Sequence, residues 1–85
     1  MVRADSLVPG TMYVATVGKV EGIVLYISSE GDTLRFEVIK MLAWKGRNPP
    51  ESGSILTSSF KHLLGEHGPV WRELTKAEHV LYGTK

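Results

Sequence analysis

Residues 11–41, TMYVATVGKVEGIVLYISSEGDTLRFEVIKM, contain three runs of β-branched, aromatic and other apolar residues separated by two short polar turns. Runs of this kind, bounded by turns that contain Gly, are typical of consecutive strands in an antiparallel sheet. Gly18-Lys19 separates the first two runs, and a two-residue connection that begins with Gly favours a tight hairpin because its first central residue needs a positive φ. The stretch therefore predicts a three-stranded meander around which the rest of the chain is organised.

The two turns also predict which residues lie opposite each other in this meander. A tight turn at Gly18-Lys19 places Val14 opposite Ile23. We expect residues 29–32, SEGD, to form a four-residue polar turn. The further pairs predicted from the two turns are Met12 with Leu25, Ile27 with Leu34, Leu25 with Phe36, Ile23 with Val38 and the oppositely charged Glu21 with Lys40. This register gives one shared apolar face, formed by Met12, Val14, Ile23, Leu25, Ile27, Leu34, Phe36 and Val38.

The opposite face of the predicted sheet is unusually apolar for a surface in contact with water. Arg35 and Glu37 hydrate one strand, but the aromatic and branched residues around them need cover. Either the C-terminal half of the chain packs on this face, which we favour, or a partner does, and a second copy forming a homodimer is one such partner. The candidate partner-binding residues of this outer face are Tyr13, Val24, Tyr26, Arg35 and Ile39.

Length and composition limit the classes of protein to which this chain can belong. Its 85 residues predict a single small domain, 1–85, in which the polar residues 1–6 are frayed. A net charge of +1 does not favour a dedicated duplex-DNA binder, because such proteins carry a basic stripe. There is no cysteine, signal-like segment or apolar run of membrane length, so we expect a cytoplasmic protein without disulfides or membrane contact.

The chain after the meander combines one long loop with short elements. Residues 42–54 contain several Gly and Pro residues and predict an irregular loop, which in a small domain is often functional. Residues 55–64 fit a short strand followed by a helical turn, which we prefer, or a single helix. Residues 70–74 alternate as expected for another short strand.

A capping-box pattern, Thr75 followed by Glu78, marks the start of a helix over residues 76–82. This helix is too short to be stable alone, so we expect its apolar stripe to pack on the sheet. The stripe consists of Ala77, Val80 and Leu81. Together the elements predict a mainly β fold, a small antiparallel β-barrel with a short C-terminal helix, similar to SH3-like barrels in strand count and loop length. The alternative is an open antiparallel sheet with the helices packed on one side.

Residues suited to catalysis or metal binding are few and scattered. His62, His67 and His79 are the candidates for acid–base or ligand chemistry, but their spacing matches neither HExxH nor a Cys/His site. Ser58 and Ser59 lack the surrounding glycines of a nucleophile elbow. We therefore expect no enzyme activity, no metal and no cofactor.

The long loop carries the better candidates for binding a partner. Trp44, Lys45, Arg47 and Asn48 place an aromatic ring and two cations just before a rigid Pro pair, and Trp and Arg are frequent interface anchors. The alternative is that Trp44 folds back into the core, where we also expect Trp71. We expect a non-enzymatic protein-interaction module, such as an accessory, adaptor or inhibitor protein, that binds through this loop or the outer face. Single-stranded nucleic-acid binding through Trp44, Lys45 and Arg47 is the alternative function.

Overall fold

The computed structural model describes residues 4–64 and 68–82 of the chain. Its strands and helices, after a 3-10 turn at Ala4–Ser6, are β1 (Met12–Val17), β2 (Val20–Glu30), β3 (Thr33–Ala43), β4 (Ile55–Ser59), α1 (Phe60–Leu63), β5 (Val70–Glu73) and α2 (Lys76–Tyr82). The prediction of a mainly β fold with a short C-terminal helix is confirmed. Of the residues predicted to be frayed, 4–6 form the 3-10 turn and 1–3 lie outside the described part of the chain.

The five strands form one antiparallel sheet in the order β4-β3-β2-β1-β5. The first four strands follow one another as a meander, and β5 returns to pair with β1 on its other side. β4 and β5 are therefore the two edges, and they do not pair with each other in the described residues. The sheet is open, so the predicted closed barrel is not confirmed.

The first hairpin has the predicted register. Val14 lies opposite Ile23 and Val17 opposite Val20. Gly18, the first turn residue, has a φ of 56°, which residues with a Cβ rarely adopt. The left-handed glycine therefore sets a two-residue turn, as the sequence indicated.

The second hairpin departs from the predicted register, and the prediction of a four-residue turn is wrong. Glu30 pairs with Thr33, so the turn contains only two residues, Gly31 and Asp32. Three register shifts, of the kind produced by β-bulges, then displace β3 along β2. As a result Lys40 lies opposite Ile23 and not opposite Glu21, so the predicted charge pair does not form.

Compared with the predicted register, this displacement places the apolar side chains of β3 on the same face as the other set of β2 side chains. The single shared face predicted from the sequence is therefore wrong, because a shift by an odd number of residues exchanges the two faces of a strand. One core cluster comprises Tyr13, Val24, Tyr26, Leu34, Phe36, Leu63 and Trp71, with Leu7 and Ala15 packed against it. The smaller cluster on the other side comprises Val14, Ile23 and Leu74, with Met12, Ile39 and Tyr82 packed against it.

Residues 55–64 form a strand followed by a helical turn, as preferred from the sequence. β4 pairs with β3 over its whole length. At its end, the Ser59 hydroxyl accepts a hydrogen bond of 3.2 Å from the His62 amide. This contact satisfies one of the free N–H groups at the start of α1 and fixes where the strand stops.

Helix α2 has the predicted capping box but not the predicted packing. The Thr75 amide donates to Glu78 Oε1 at 2.9 Å, and the Glu78 amide donates to Thr75 Oγ1 at 3.2 Å. The apolar stripe faces water, however: Val80 is 84% exposed and Leu81 68%. The expectation that this stripe packs on the sheet is wrong, since Tyr82 at the end of the helix makes the contact with the smaller core cluster.

Candidate functional site: an apolar groove beside Trp44

An apolar groove of about 330 Å³ opens on the side of the sheet that carries the larger core cluster. It lies at the small end of ligand-site volumes, which span about 300–1,000 Å³. Its walls come from every strand, from α1 and from the long loop. The lining residues that matter below are Gly22, Phe36, Met41, Trp44, Pro50, Leu56, Thr57, Ser58, His62, Pro69 and Trp71.

The long loop is tied to β3 at its C-terminal end. The Gly53 amide donates to the Val38 carbonyl at 2.7 Å, and the Val38 amide donates to the Ser54 carbonyl at 2.8 Å. The Ser52 hydroxyl adds a bond of 2.7 Å to the Ile39 carbonyl. Gly53 has a φ of 93°, so only a residue without a Cβ makes this turn easily. These bonds hold the loop in place and keep Pro50 at the edge of the groove.

Trp44 lies at the other end of the loop and is partly exposed to water. It is 37% exposed, although it lines the groove. A methyl group built on Gly46 would lie 3.1 Å from Trp44 Nε1, which shows that the ring leans against the loop backbone there. Trp44 is therefore neither fully buried nor free: it lines the groove and is partly exposed.

The deep wall of the groove is aromatic. The rings of Phe36 and Trp71 stack with centroids 5.2 Å apart, and Tyr13 meets Trp71 edge to face at 6.3 Å. Trp71 is buried, as expected from the sequence. Its indole N–H is a buried donor that finds no acceptor among the residues described, so this wall keeps one unsatisfied polar group.

Met41 and Gly22 form another part of the wall. A Cβ added to Gly22 would lie 2.8 Å from Met41 Sδ, so the missing side chain leaves room for the methionine. Sequence reasoning missed both residues. An isolated glycine inside a strand was the available signal, because it often marks a close approach of another group.

The charged residues around the groove are mostly cationic. Lys19 lies in the turn between β1 and β2, Lys61 lies on α1, and Lys45 and Arg47 belong to the long loop. Glu51, next to Pro50, is the acidic residue of the long loop. Within β5, Arg72 follows the lining residue Trp71 and points to the opposite face, whereas Glu73, two positions after Trp71, lies on the same face as Trp71. The groove thus combines an apolar interior with a positive rim.

The structure separates the two sets of predicted binding residues. Trp44, Lys45, Arg47 and Asn48 are exposed in one loop beside the groove. The outer-face candidates are dispersed: Tyr13, Val24 and Tyr26 are buried in the larger core cluster, and Ile39 packs against the smaller one. Arg35 is exposed and makes a 3.5 Å contact with Glu30. The chain itself covers the three buried residues, which is the alternative favoured from the sequence.

Of the residues considered for catalysis, Ser58 is part of the lining of the groove. His62 lines it, whereas His79 lies on α2 and His67 falls outside the described residues. In the described ranges no three His, Asp or Glu side chains are grouped so as to hold a metal ion. Nor does any helix of these ranges have the length and apolar character needed to cross a membrane. Comparison of the chain with protein-family models, with curated proteins and with solved structures finds no match.

Proposed function

We propose that this chain is a non-enzymatic protein-interaction module that binds an apolar segment of a partner protein in the groove beside Trp44. The observation that supports this most is the half-exposed Trp44 at the edge of an open apolar groove. Exposed Trp residues next to a pocket are typical anchors of protein interfaces. Fully burying one large apolar side chain of a partner contributes about 1.5–3 kcal/mol. One or two such side chains in the groove therefore contribute substantially to binding without a broad flat contact.

We also infer that the fold belongs to the SH3-like class of curled sheets. In support of this, β5 returns to β1 and a single helical turn separates β4 from β5. Trp71 on one edge strand stacks on Phe36 of β3, so the sheet curls enough for non-neighbouring strands to touch across its concave side. Such a curled sheet presents its groove between the two edges.

Binding of partner segments is tested by selecting peptides from a random display library against the full chain. Each selection is repeated against Trp44→Ala and against Leu42→Ala, which removes a side chain of nearly equal exposure, 38% against 37%, that does not line the groove. We expect peptides that bind the native chain and the Leu42 variant and lose at least about tenfold in affinity with Trp44→Ala. Enrichment of no peptide that depends on Trp44 would contradict the proposed function.

A second candidate is single-stranded nucleic-acid binding, favoured by the exposure of Lys45 and Arg47 in the same loop as Trp44. The probe is a fluorescent oligothymidylate followed by polarisation at increasing salt. If this function holds, affinity falls steeply with salt and with Lys45→Ala or Arg47→Ala. The absence of binding at low salt removes this candidate and leaves the peptide site untouched.

A further inference from the structure

Resting on the function proposed above, we propose that the partner segment binds as a sixth β-strand. It lies between the free edges of β4 and β5, runs antiparallel to both, and alternates apolar with acidic side chains. The occupant is an extended segment of another protein.

The directions of the strands favour one inserted strand. Each of the four neighbouring pairs in the sheet is antiparallel. Following these pairs from one edge to the other shows that β4 and β5 run in the same direction. An odd number of strands cannot close into a barrel with antiparallel pairs throughout, and here direct pairing of the edges would be parallel. One added strand of the opposite direction satisfies both edges at once.

The free edge of β4 is accessible from the groove. β4 pairs with β3 on one side, and its other side has no strand partner among the described residues. Leu56, Thr57 and Ser58 all line the groove although consecutive side chains of a strand point to opposite faces. The groove therefore meets the backbone of β4 or both of its sides, and not one row of its side chains alone. Pro69, just before β5, and Trp71 within it also line the groove, so the groove extends to β5.

The edge of β4 also lacks the features that usually prevent pairing. Its sequence, ILTSS, contains no charge and no Pro, whereas proteins commonly protect edges with Lys, Pro or bulges. Ile55 and Leu56 are exposed on it. An unprotected edge beside an apolar groove is what strand addition requires, because backbone bonds supply affinity and alternate side chains enter the groove.

The charges of the rim indicate the chemistry of the segment. Four cations, Lys19, Lys45, Arg47 and Lys61, lie in the turn, loop and helix segments that supply or flank lining residues, against two described carboxylates, Glu51 and Glu73. The inward side chains of an added strand enter an apolar groove, and its outward side chains lie near these cations. Acidic outward residues are therefore favoured. β4 itself carries no acidic residue, which makes the β4 edge of a second copy a poor match.

Backbone substitution in the selected peptides tests the geometry. In one synthetic set the odd-numbered amides are replaced by esters, and in the other the even-numbered amides, which removes N–H donors with little change of shape. A strand between two edges donates to β4 and β5 alternately, so each set should lose about tenfold or more in affinity, from several bonds of about 0.5–1.5 kcal/mol. Loss in one set only, or in neither, while binding still depends on Trp44, overturns the sixth strand and leaves the proposed function standing.

Amide exchange and charge reversal test the same inference on the protein side. Bound peptide should slow hydrogen exchange of the outward amides in Ile55–Ser59. Lys45→Glu or Lys61→Glu should weaken the binding of acidic peptides about tenfold or more. Lys76→Glu is the matched control, because Lys76 lies on α2, which contributes no lining residue to the groove. Selected peptides without acidic residues would overturn the charge assignment. Protection of Ile55–Ser59 that rises with protein concentration and without peptide would assign the edge to a second copy instead.

Discussion

The two tryptophans line the same groove and yet have opposite environments. Trp71 is 4% exposed and Trp44 is 37% exposed. Trp71 lies within β5, whose backbone is paired with β1, and its ring stacks on Phe36 at 5.2 Å. Trp44 follows the last residue of β3 and belongs to the loop. The difference indicates that the Trp71 ring stays in the core because the strand that carries it is paired with β1. Trp44 lies in a loop after β3 and stays partly exposed.

The largest effect expected from this comparison is that of Trp71→Ala. Removing the ring leaves a cavity against Phe36 and Tyr13, and substitutions of this kind lower the free energy of unfolding by about 3–5 kcal/mol. Urea unfolding followed by circular dichroism measures this loss. Trp71→Phe should lose much less, because it keeps an aromatic ring and removes the buried N–H that has no acceptor among the described residues. A loss below about 1 kcal/mol for Trp71→Ala would show that this ring does not hold the core together.

The burial of Trp71 could be predicted from the sequence, and so could the first hairpin. Both depend on local signals: a large aromatic residue within an alternating strand, and a glycine that sets a tight turn at Gly18. The second hairpin could not be predicted, because only one of the three register shifts along β2 and β3, the one beside Gly22, has a mark in the sequence. Each shift exchanges the faces of a strand, so the predicted composition of the core was wrong. Ile23 and Phe36 are nevertheless both buried.

The candidate site was predictable only in part. The loop containing Trp44 was identified because Trp, cations and Pro occur together there. The groove beside it was not, since it depends on β3 register and on the space that Gly22 leaves for Met41. The prediction that α2 packs on the sheet through its apolar stripe was wrong for a related reason. An apolar stripe such as Val80 and Leu81 shows what a helix could bury, but not whether a surface lies against it.

The next largest effect concerns the position of Trp44 and follows from Gly53→Ala. Gly53 has a φ of 93°, and placing a Cβ there costs about 1–2 kcal/mol. Gly10→Ala is the matched control, because Gly10 has a φ of 85° and, like Gly53, open space around the added Cβ. Both variants should lose similar stability in urea unfolding. We expect the Trp fluorescence of the folded chain to change in Gly53→Ala alone, since this turn ties the loop to β3, and equal spectra would contradict that role.

A smaller effect is expected when the exposed ring itself is removed. Trp44→Ala should change the free energy of unfolding by less than about 1 kcal/mol, because a partly exposed residue outside the core loses few contacts. Thermal unfolding of this variant and of Leu42→Ala should give nearly equal midpoints. If Trp44→Ala were as destabilising as Trp71→Ala, both rings would belong to one core. The distinction between a core tryptophan and a surface tryptophan would then be wrong.

The smallest effect is a pH dependence at the end of β5, next to Trp71. Both oxygens of the Glu78 carboxylate accept hydrogen bonds from Arg72, at 2.7 and 2.8 Å. These bonds, followed by the one from the Thr75 amide, lower the pKa of Glu78 from 4.5 to about 2. The same pairing raises the pKa of Arg72. Because the folded-state pKa of Glu78 is the lower one, its contribution is complete above about pH 4.5 and is lost as the pH falls towards 2.

An NMR titration of the Glu78 side-chain carboxyl carbon checks this directly. The midpoint should lie near pH 2 in the native chain and move towards 4.5 in Arg72→Gln. Arg35→Gln is the matched control, since Arg35 contacts Glu30 and not Glu78, and it should leave the midpoint unchanged. In unfolding experiments, Glu78→Gln should flatten the stability between these two pH values, because the substituted amide does not titrate. A native midpoint near 4.5 would show that Arg72 and Glu78 do not stay paired in solution, and that β5 holds Trp71 in place without help from α2.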